Sequence, residues 1–262
     1  MKTSETMEGI DQDRRGLLGA VTMGIAVAGA ASLPSAAAAD ENTIRPSQPT
    51  PSETMASVAY NKQLTALLVV DPYNDFISEG GKLWDRIRAV AEANDCVPHM
   101  LQVLNAARKA ELRVFYALHH RYRPGDYETW KYIAPIQKAG WKGKTFENGT
   151  WGGEIRPGFE PKPGEIVATE HWCSSGFANT DLDMQLKNHG IHQLIVVGLI
   201  AHTCIEATVR FAAELGYEVT VVKDAVADFS DAHMQAALEI NIPNYASAIV
   251  TTKEIVDSIS SL

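Results

Sequence analysis

Reactive side chains collect directly behind apolar segments of this 262-residue chain. Asp71 follows the run 64–70, His119 and His120 follow 112–118, and Glu170 and His171 close a third run that begins at Val167. A fourth run, 192–199, leads into Ile200-Ala201-His202-Thr203-Cys204. A thiol in the first turn of a helix sits among free N–H groups at the positive end of the dipole, which favours thiolate. A neighbouring base completes an activated nucleophile, and the same N–H groups can receive the oxyanion of a tetrahedral intermediate. Asp71 is the candidate general base, taking the thiol proton and passing it to a leaving group. Plainer readings stand beside these: Cys204 as a small buried hydrophobe, and Asp71 as a turn residue of Asp71-Pro72-Tyr73-Asn74. Cys96 reads as structural, and Cys173 as a packing residue close enough to the site to touch substrate.

Only a parallel sheet would bring these groups together. The runs 64–70, 112–118, 167–171, 192–199, 217–222 and 247–252 are β-favouring and apolar on both faces, the pattern of strands covered by helices. Helical signals lie between them. Val97, Leu101, Leu104 and Arg108 follow helical spacing after Pro98. Thr180-Asp181-Leu182-Asp183 starts a second helix at capping-box offset, ended by Gly190. A third spans about 204–215, closed by Gly216, and Ser230 and Thr252 are candidate caps for the last two. The alternation predicts a three-layer α/β/α, Rossmann-like domain with ligands bound outside the carboxyl ends of the strands. Segments 78–93 and 121–163 are too long for simple connections. The second holds Trp130, Tyr132, Trp141, Trp151 and Phe159; it either covers a substrate or packs its aromatics on the sheet edge.

Composition narrows the class. With 45% hydrophobic and 21% charged residues the chain is globular, and its formal charge of −9 excludes a binder of phosphate backbones. Three cysteines exclude a disulfide scaffold, and no bond of Cys204 to Cys96 or Cys173 is expected. There is no glycine-rich dinucleotide or phosphate-loop motif in the body, so no cofactor is expected. Residues 1–39 combine Arg14-Arg15, Leu17-Leu18, a weakly apolar stretch and an Ala-rich end, and so resemble a twin-arginine signal rather than a membrane anchor. An exported, periplasmic or secreted protein follows; a plain N-terminal extension on a cytoplasmic protein is the alternative. Residues 40–61 read as a flexible Pro/Ser/Thr linker, and 62–262 as the single domain.

Within that domain, Leu68-Val69-Val70-Asp71-Pro72-Tyr73-Asn74-Asp75-Phe76 resembles the first-strand motif of the isochorismatase-like cysteine hydrolases. Residues 175–182, Ser-Gly-Phe-Ala-Asn-Thr-Asp-Leu, resemble that family's Ser-x-Phe-x-x-Thr-x-Leu segment, and residues 197–208 its nucleophile turn. Gly216-Tyr217 and Lys223-Asp224-Ala225 continue the match, which covers residues 64–252. The resemblance implies a six-stranded parallel sheet, a homo-oligomer and a small-molecule substrate. It further implies attack by Cys204 on a carboxamide or related C–N bond, with Asp71 shuttling the proton through a thioester cycle. The oxyanion would rest on the N–H groups of Ala201 and Cys204, and a cis peptide would precede the turn at Ile200-Ala201.

Two departures from the family pattern matter. The family places a Lys six residues before the Phe matching Phe177; counting without a gap gives His171, and a one-residue bulge gives Glu170. A protonated His171 would supply part of the missing charge, whereas Glu170 would add a second carboxylate. Nicotinamidase-type members bind a metal after strand two, but the adjacent His119 and His120, with Asp126, suit one ion poorly, and no metal is expected. Phe76, His119, His120, Trp172, Phe177 and His202 are the candidate substrate contacts. Two other functions remain open: vinyl ether hydrolysis of the isochorismatase type, using Asp71 without a thiol nucleophile, and a non-catalytic small-molecule binding protein.

Overall fold

The structure, a computed structural model, describes residues 58–262; the expected signal segment 1–39 and residues 40–57 of the expected linker lie outside the described residues. The linker's last residues belong to the domain. Gln193 is buried, and its amide accepts from Asn61 N–H at 2.9 Å and donates to Ala59 O at 3.0 Å. Tyr60 Oη pairs with Thr220 Oγ1 at 2.9 Å. Residues 58–61 therefore satisfy polar atoms at the amino ends of β4 and β5 instead of forming a free tether.

Six strands build the sheet: β1 (Thr65–Val70), β2 (Arg113–Ala117), β3 (Ile166–Val167), β4 (Gln193–Leu199), β5 (Glu218–Ala227) and β6 (Ala248–Val250). Their order is β3-β2-β1-β4-β5-β6, and every pair is parallel. Side chains alternate between two cores. Leu67, Val69, Ile195 and Val197 face one, shared with α2 (Trp84–Ala93), α3 (Cys96–Lys109) and α8 (Thr252–Ile259). Ala66, Leu68, Leu194 and Val196 face the other, shared with α5 (Leu182–Asn188) and α6 (Glu206–Glu214). Burial on both faces is what a run such as Leu67-Leu68-Val69-Val70 requires. The chain winds one way from β1 through β3 and the other way from β4 through β6, so the crevice of the crossover opens between β1 and β4. Those two strands approach closely at Gly198 (φ +130°), where a Cβ would collide with the Val70 carbonyl.

Several expected details shift. The segment 78–93 is half helix, because Trp84, Ile87, Val90 and Ala91 place one apolar stripe on the core. A short helix, α1 (Asn74–Ile77), follows β1. The third strand breaks after Val167: Thr169 N–H turns to the Asp181 carboxylate at 2.7 Å, and pairing resumes at His119 and His171. Asp181, so engaged, makes no cap for α5. Ser230 caps α7 (Asp231–Gln235) as expected, but Thr251, not Thr252, caps α8 in a box with Glu254, while Thr252 donates to Asp224.

The long excursion 121–163 contains α4 (Pro135–Gly143) and a single 3-10 turn at Trp151–Gly153. It returns antiparallel beside the segment after β1, with Asn74 N–H donating to Glu154 O and Arg156 N–H to Pro72 O, each at 2.9 Å. Its aromatics divide: Phe159 packs in the core, while Trp130, Tyr132 and Trp151 are exposed. No helix among the described residues is long and apolar enough to cross a membrane.

Candidate active site

Asp71 is the first residue beyond β1, fully buried and in the left-handed region at φ 52°. Its Oδ1 accepts from His119 N–H at 2.6 Å and faces His171 Nε2 at 3.2 Å. Its Oδ2 is buried and has no hydrogen-bond partner. A carboxylate with one oxygen held and the other free is oriented for a single task.

His171 stands where the family pattern places a Lys. It is fully buried, with Nδ1 3.1 Å from Cys173 O and Nε2 on Asp71. Both ring nitrogens face oxygen atoms, the Cys173 carbonyl and the Asp71 carboxylate. Glu170, the bulge alternative, points the other way. It receives Arg121 Nε at 2.6 Å and lies 3.2 Å from His120 Nδ1, so it is not part of the Asp71 cluster. Neighbours on an extended segment project to opposite sides, which is why one of the pair reaches Asp71 and the other cannot. The Glu170 carboxyl is depressed to about 2: burial alone would raise it, but bonds from His120 and Arg121 outweigh that.

Cys204 arrives on a π-helical turn, Ala201–Ile205, that joins β4 to α6. Its sulfur, one Asp71 oxygen and one His171 nitrogen all lie within 4.8 Å of one another. Thr203 and Ile205 N–H donate to Ile200 O, and His202 N–H donates to Asp228 Oδ2 at 2.8 Å. The cis peptide falls at Leu199-Ile200, one bond earlier than expected, because β4 ends at Leu199 and Ile200 already belongs to the connection. A second expectation is overturned. The thiol is not poised as thiolate; burial pushes its pKa well up, and the charge of Asp71 adds to that.

His119 and His120 diverge. His119 is inward, its ring edge-on to His171 at 5.2 Å; burial, then the nearby His171, pushes its pKa down to about 4, so it is neutral at physiological pH. His120 is clamped between Asp126 at 2.9 Å and Glu170 at 3.2 Å, and these partners raise its pKa despite burial. The indole of Trp172 stacks on it at 3.7 Å. A narrow cleft runs past His119, His120, Tyr127, Trp141 and Cys173, so Cys173 is an exposed rim residue rather than a packed one. Two expected contacts are core instead: Phe177 packs on Tyr217 at 5.7 Å, at the far end of the sheet, and Phe76 lies edge-on to Phe146 at 4.8 Å. His202 turns to Asp228, its Nδ1 2.7 Å from Oδ2.

Two residues near the site lie outside the motifs, Phe146 and Asp228, and a third, Tyr73, lies inside the first-strand motif without having been singled out. Phe146 comes from the excursion, stacks on Tyr73 at 4.6 Å and tilts against His119 at 5.4 Å. Asp75 pins it there, accepting Phe146 N–H at 2.8 Å. Cys96, Cys173 and Cys204 are all free thiols.

A family model described as an isochorismatase domain matches residues 65–254. A ureidoacrylate amidohydrolase of Caulobacter segnis is 30% identical over 207 residues, covering 75% of this chain and 86% of that protein. An N-carbamoylsarcosine amidase structure from Thermoplasma acidophilum aligns with a TM-score of 0.56 at 28% identity, covering 72% of this chain and 96% of that one. A cysteine hydrolase from Pseudomonas syringae pv. phaseolicola shares the fold with a TM-score of 0.69 at 24% identity, covering 82% and 99%. With its six parallel strands and a domain-length family match, the chain belongs to the isochorismatase family of hydrolases.

Proposed function

We propose that the protein hydrolyses a C–N bond of a small amide or ureido compound through a thioester on Cys204. One observation carries the reading: a buried carboxylate oxygen without a partner, Asp71 Oδ2, in a cluster with a buried thiol and an imidazole. The Cys204 proton passes to Asp71 as sulfur bonds to the carbonyl carbon. The oxyanion rests on the N–H groups of Ala201 and Cys204, those of His202, Thr203 and Ile205 being engaged elsewhere. Asp71 then protonates the departing nitrogen, and ammonia or an amine leaves. Water attacks the thioester, giving one proton to Asp71, and the acid departs as the thiol is restored. His171 donates to the other Asp71 oxygen throughout and so fixes the base and steadies its charge. Vinyl ether cleavage would leave the thiol unused, whereas here the thiol is built into the cluster.

The relatives named for ureidoacrylate and N-carbamoylsarcosine point to ureido and carbamoyl substrates. Ammonia release from a panel of ureido, N-carbamoyl and simple amide compounds, with intact-mass trapping of an acyl adduct, tests the proposal. An adduct on wild type that is missing from Cys204→Ala supports it; turnover retained by Cys204→Ala rejects it. The proposal also includes export through the segment 1–39 and assembly as a homo-oligomer. Cell fractionation with Arg14 and Arg15 replaced by Lys, and light scattering of the purified protein, test these two points.

A further inference from the structure

A second set of metal-ligating side chains lies beside the nucleophile turn and takes no part in the chemistry above. Asp228 follows β5 directly, His202 belongs to the turn after β4, and His233 sits in α7. One nitrogen of each imidazole and one Asp228 oxygen lie within 4.8 Å of one another. Asp228 is fully buried, while the His202 and His233 side chains are 30% and 47% exposed. The anion is thus fixed from below and the two nitrogens border solvent.

His202 alone would pass as an ordinary partner of a carboxylate. His233 does not fit that description. Its Nδ1 lies 3.6 Å from Asp228 Oδ1, beyond a useful hydrogen bond, yet its ring lies 4.3 Å from that of His202 and 16° from parallel. Ser230 Oγ accepts the His233 N–H and fixes the backbone there. The carboxylate is oriented in turn by Phe229 N–H at 2.6 Å and His202 N–H at 2.8 Å. Such supporting bonds hold ligating groups in place.

We infer that His202, Asp228 and His233 form a binding site for a borderline divalent cation of the zinc class, with water completing the shell. Two imidazoles and one carboxylate suit zinc, cobalt or nickel, whereas calcium and magnesium demand oxygen ligands. Each imidazole would coordinate through a nitrogen that carries no proton, so binding releases to solvent any proton held there. The ion would immobilise the side chain of a residue whose backbone belongs to the Cys204 turn. This site is separate from Asp71, His171 and Cys204, and it does not rest on the proposed reaction.

Calorimetric titration of chelator-treated full-length protein with zinc chloride tests the inference on wild type, Cys204→Ala and His233→Ala. One ion per chain is expected, with equal affinity in wild type and Cys204→Ala and at least about tenfold weaker binding in His233→Ala. Circular dichroism checks that each variant is folded, and His233→Gln, which preserves bulk, repeats the measurement without a cavity. Absence of uptake, or equal affinity in both His233 variants and wild type, overturns the site. Loss of binding in Cys204→Ala also overturns it, by placing the ion on the catalytic thiol cluster.

Discussion

Asp71 and Glu170 are both carboxylates beyond the ends of strands that flank β2, yet the molecule treats them in opposite ways. Asp71 is fully buried, with one oxygen held and the other free. Glu170 is saturated by Arg121 and His120 and belongs to the wall that ties the excursion 121–163 to the sheet. The floor of the site is therefore an unsatisfied arrangement whose leftover capacity suits a proton, and the wall is a satisfied one that holds shape. A buried polar atom left unpaired costs stability. The floor tolerates that cost within a fully packed pair of strands, and the wall, closer to solvent with its Glu170 side chain 18% exposed, is saturated instead.

The sharpest way to break this comparison is to substitute the floor. Asp71→Asn keeps the shape and removes the base, and should lower kcat by about 10⁴-fold in a steady-state amidase assay. Next, His171→Gln should cost about 10²-fold in kcat, since it keeps a donor but loses the ring that holds the Asp71 carboxylate in place. Glu170→Gln should cost less than about tenfold in the same assay, because it acts only on the wall. Equal losses at Asp71 and Glu170 would show that the two carboxylates do not divide the work.

Sequence made the floor legible because position at a strand end is enough to place a residue at the crevice. Asp71, His171 and Cys204 follow β1, β3 and β4, whereas counting back from Phe177 leaves His171 and Glu170 both open, and only the geometry separates them. What the strand ends could not show was solvation. A thiol early in a helix reads as thiolate, but a buried thiol beside a carboxylate is a resting acid, as Cys204 is. Phe146 was invisible for a different reason. It reaches His119 from a segment without periodicity, pinned by an Asp 71 positions earlier in the chain. Motif aromatics misled in turn: Phe76 and Phe177 are both buried, packed on Phe146 and Tyr217 respectively.

The wall predicts a different kinetic signature from the floor. Trp172 covers His120 and touches Tyr127 and Trp130, with ring centroids 5.7 and 5.3 Å away. If the cleft binds the substrate body, Trp172→Ala should raise KM by about tenfold and leave kcat within about twofold, the pattern of binding lost equally in ground and transition states. Full saturation kinetics reads both constants. A fall in kcat with KM unchanged would move Trp172 into the floor and erase the division.

The smallest expected effect is a pH dependence confined to the wall, and the two adjacent histidines give it opposite signs. His119 has a folded pKa near 4 against an ordinary 6.5, so it withdraws stability as pH falls through that interval. His120 has a raised folded pKa, so its contribution is complete below 6.5 and is lost as pH rises through the folded value. Glu170, at about 2 against 4.5, contributes fully above 4.5. The clamp is thus complete between pH 4.5 and 6.5 and weakens above it. Comparing wild type with His120→Gln removes most of the His119 contribution, since both proteins carry that residue and His120 is the smallest of the influences on it. The difference in thermal midpoint between them should be largest near pH 5.5 and shrink steadily toward pH 9. A difference that instead grows with pH would mean that His120 is held neutral, and that the wall is closed by packing of Trp172 rather than by charge.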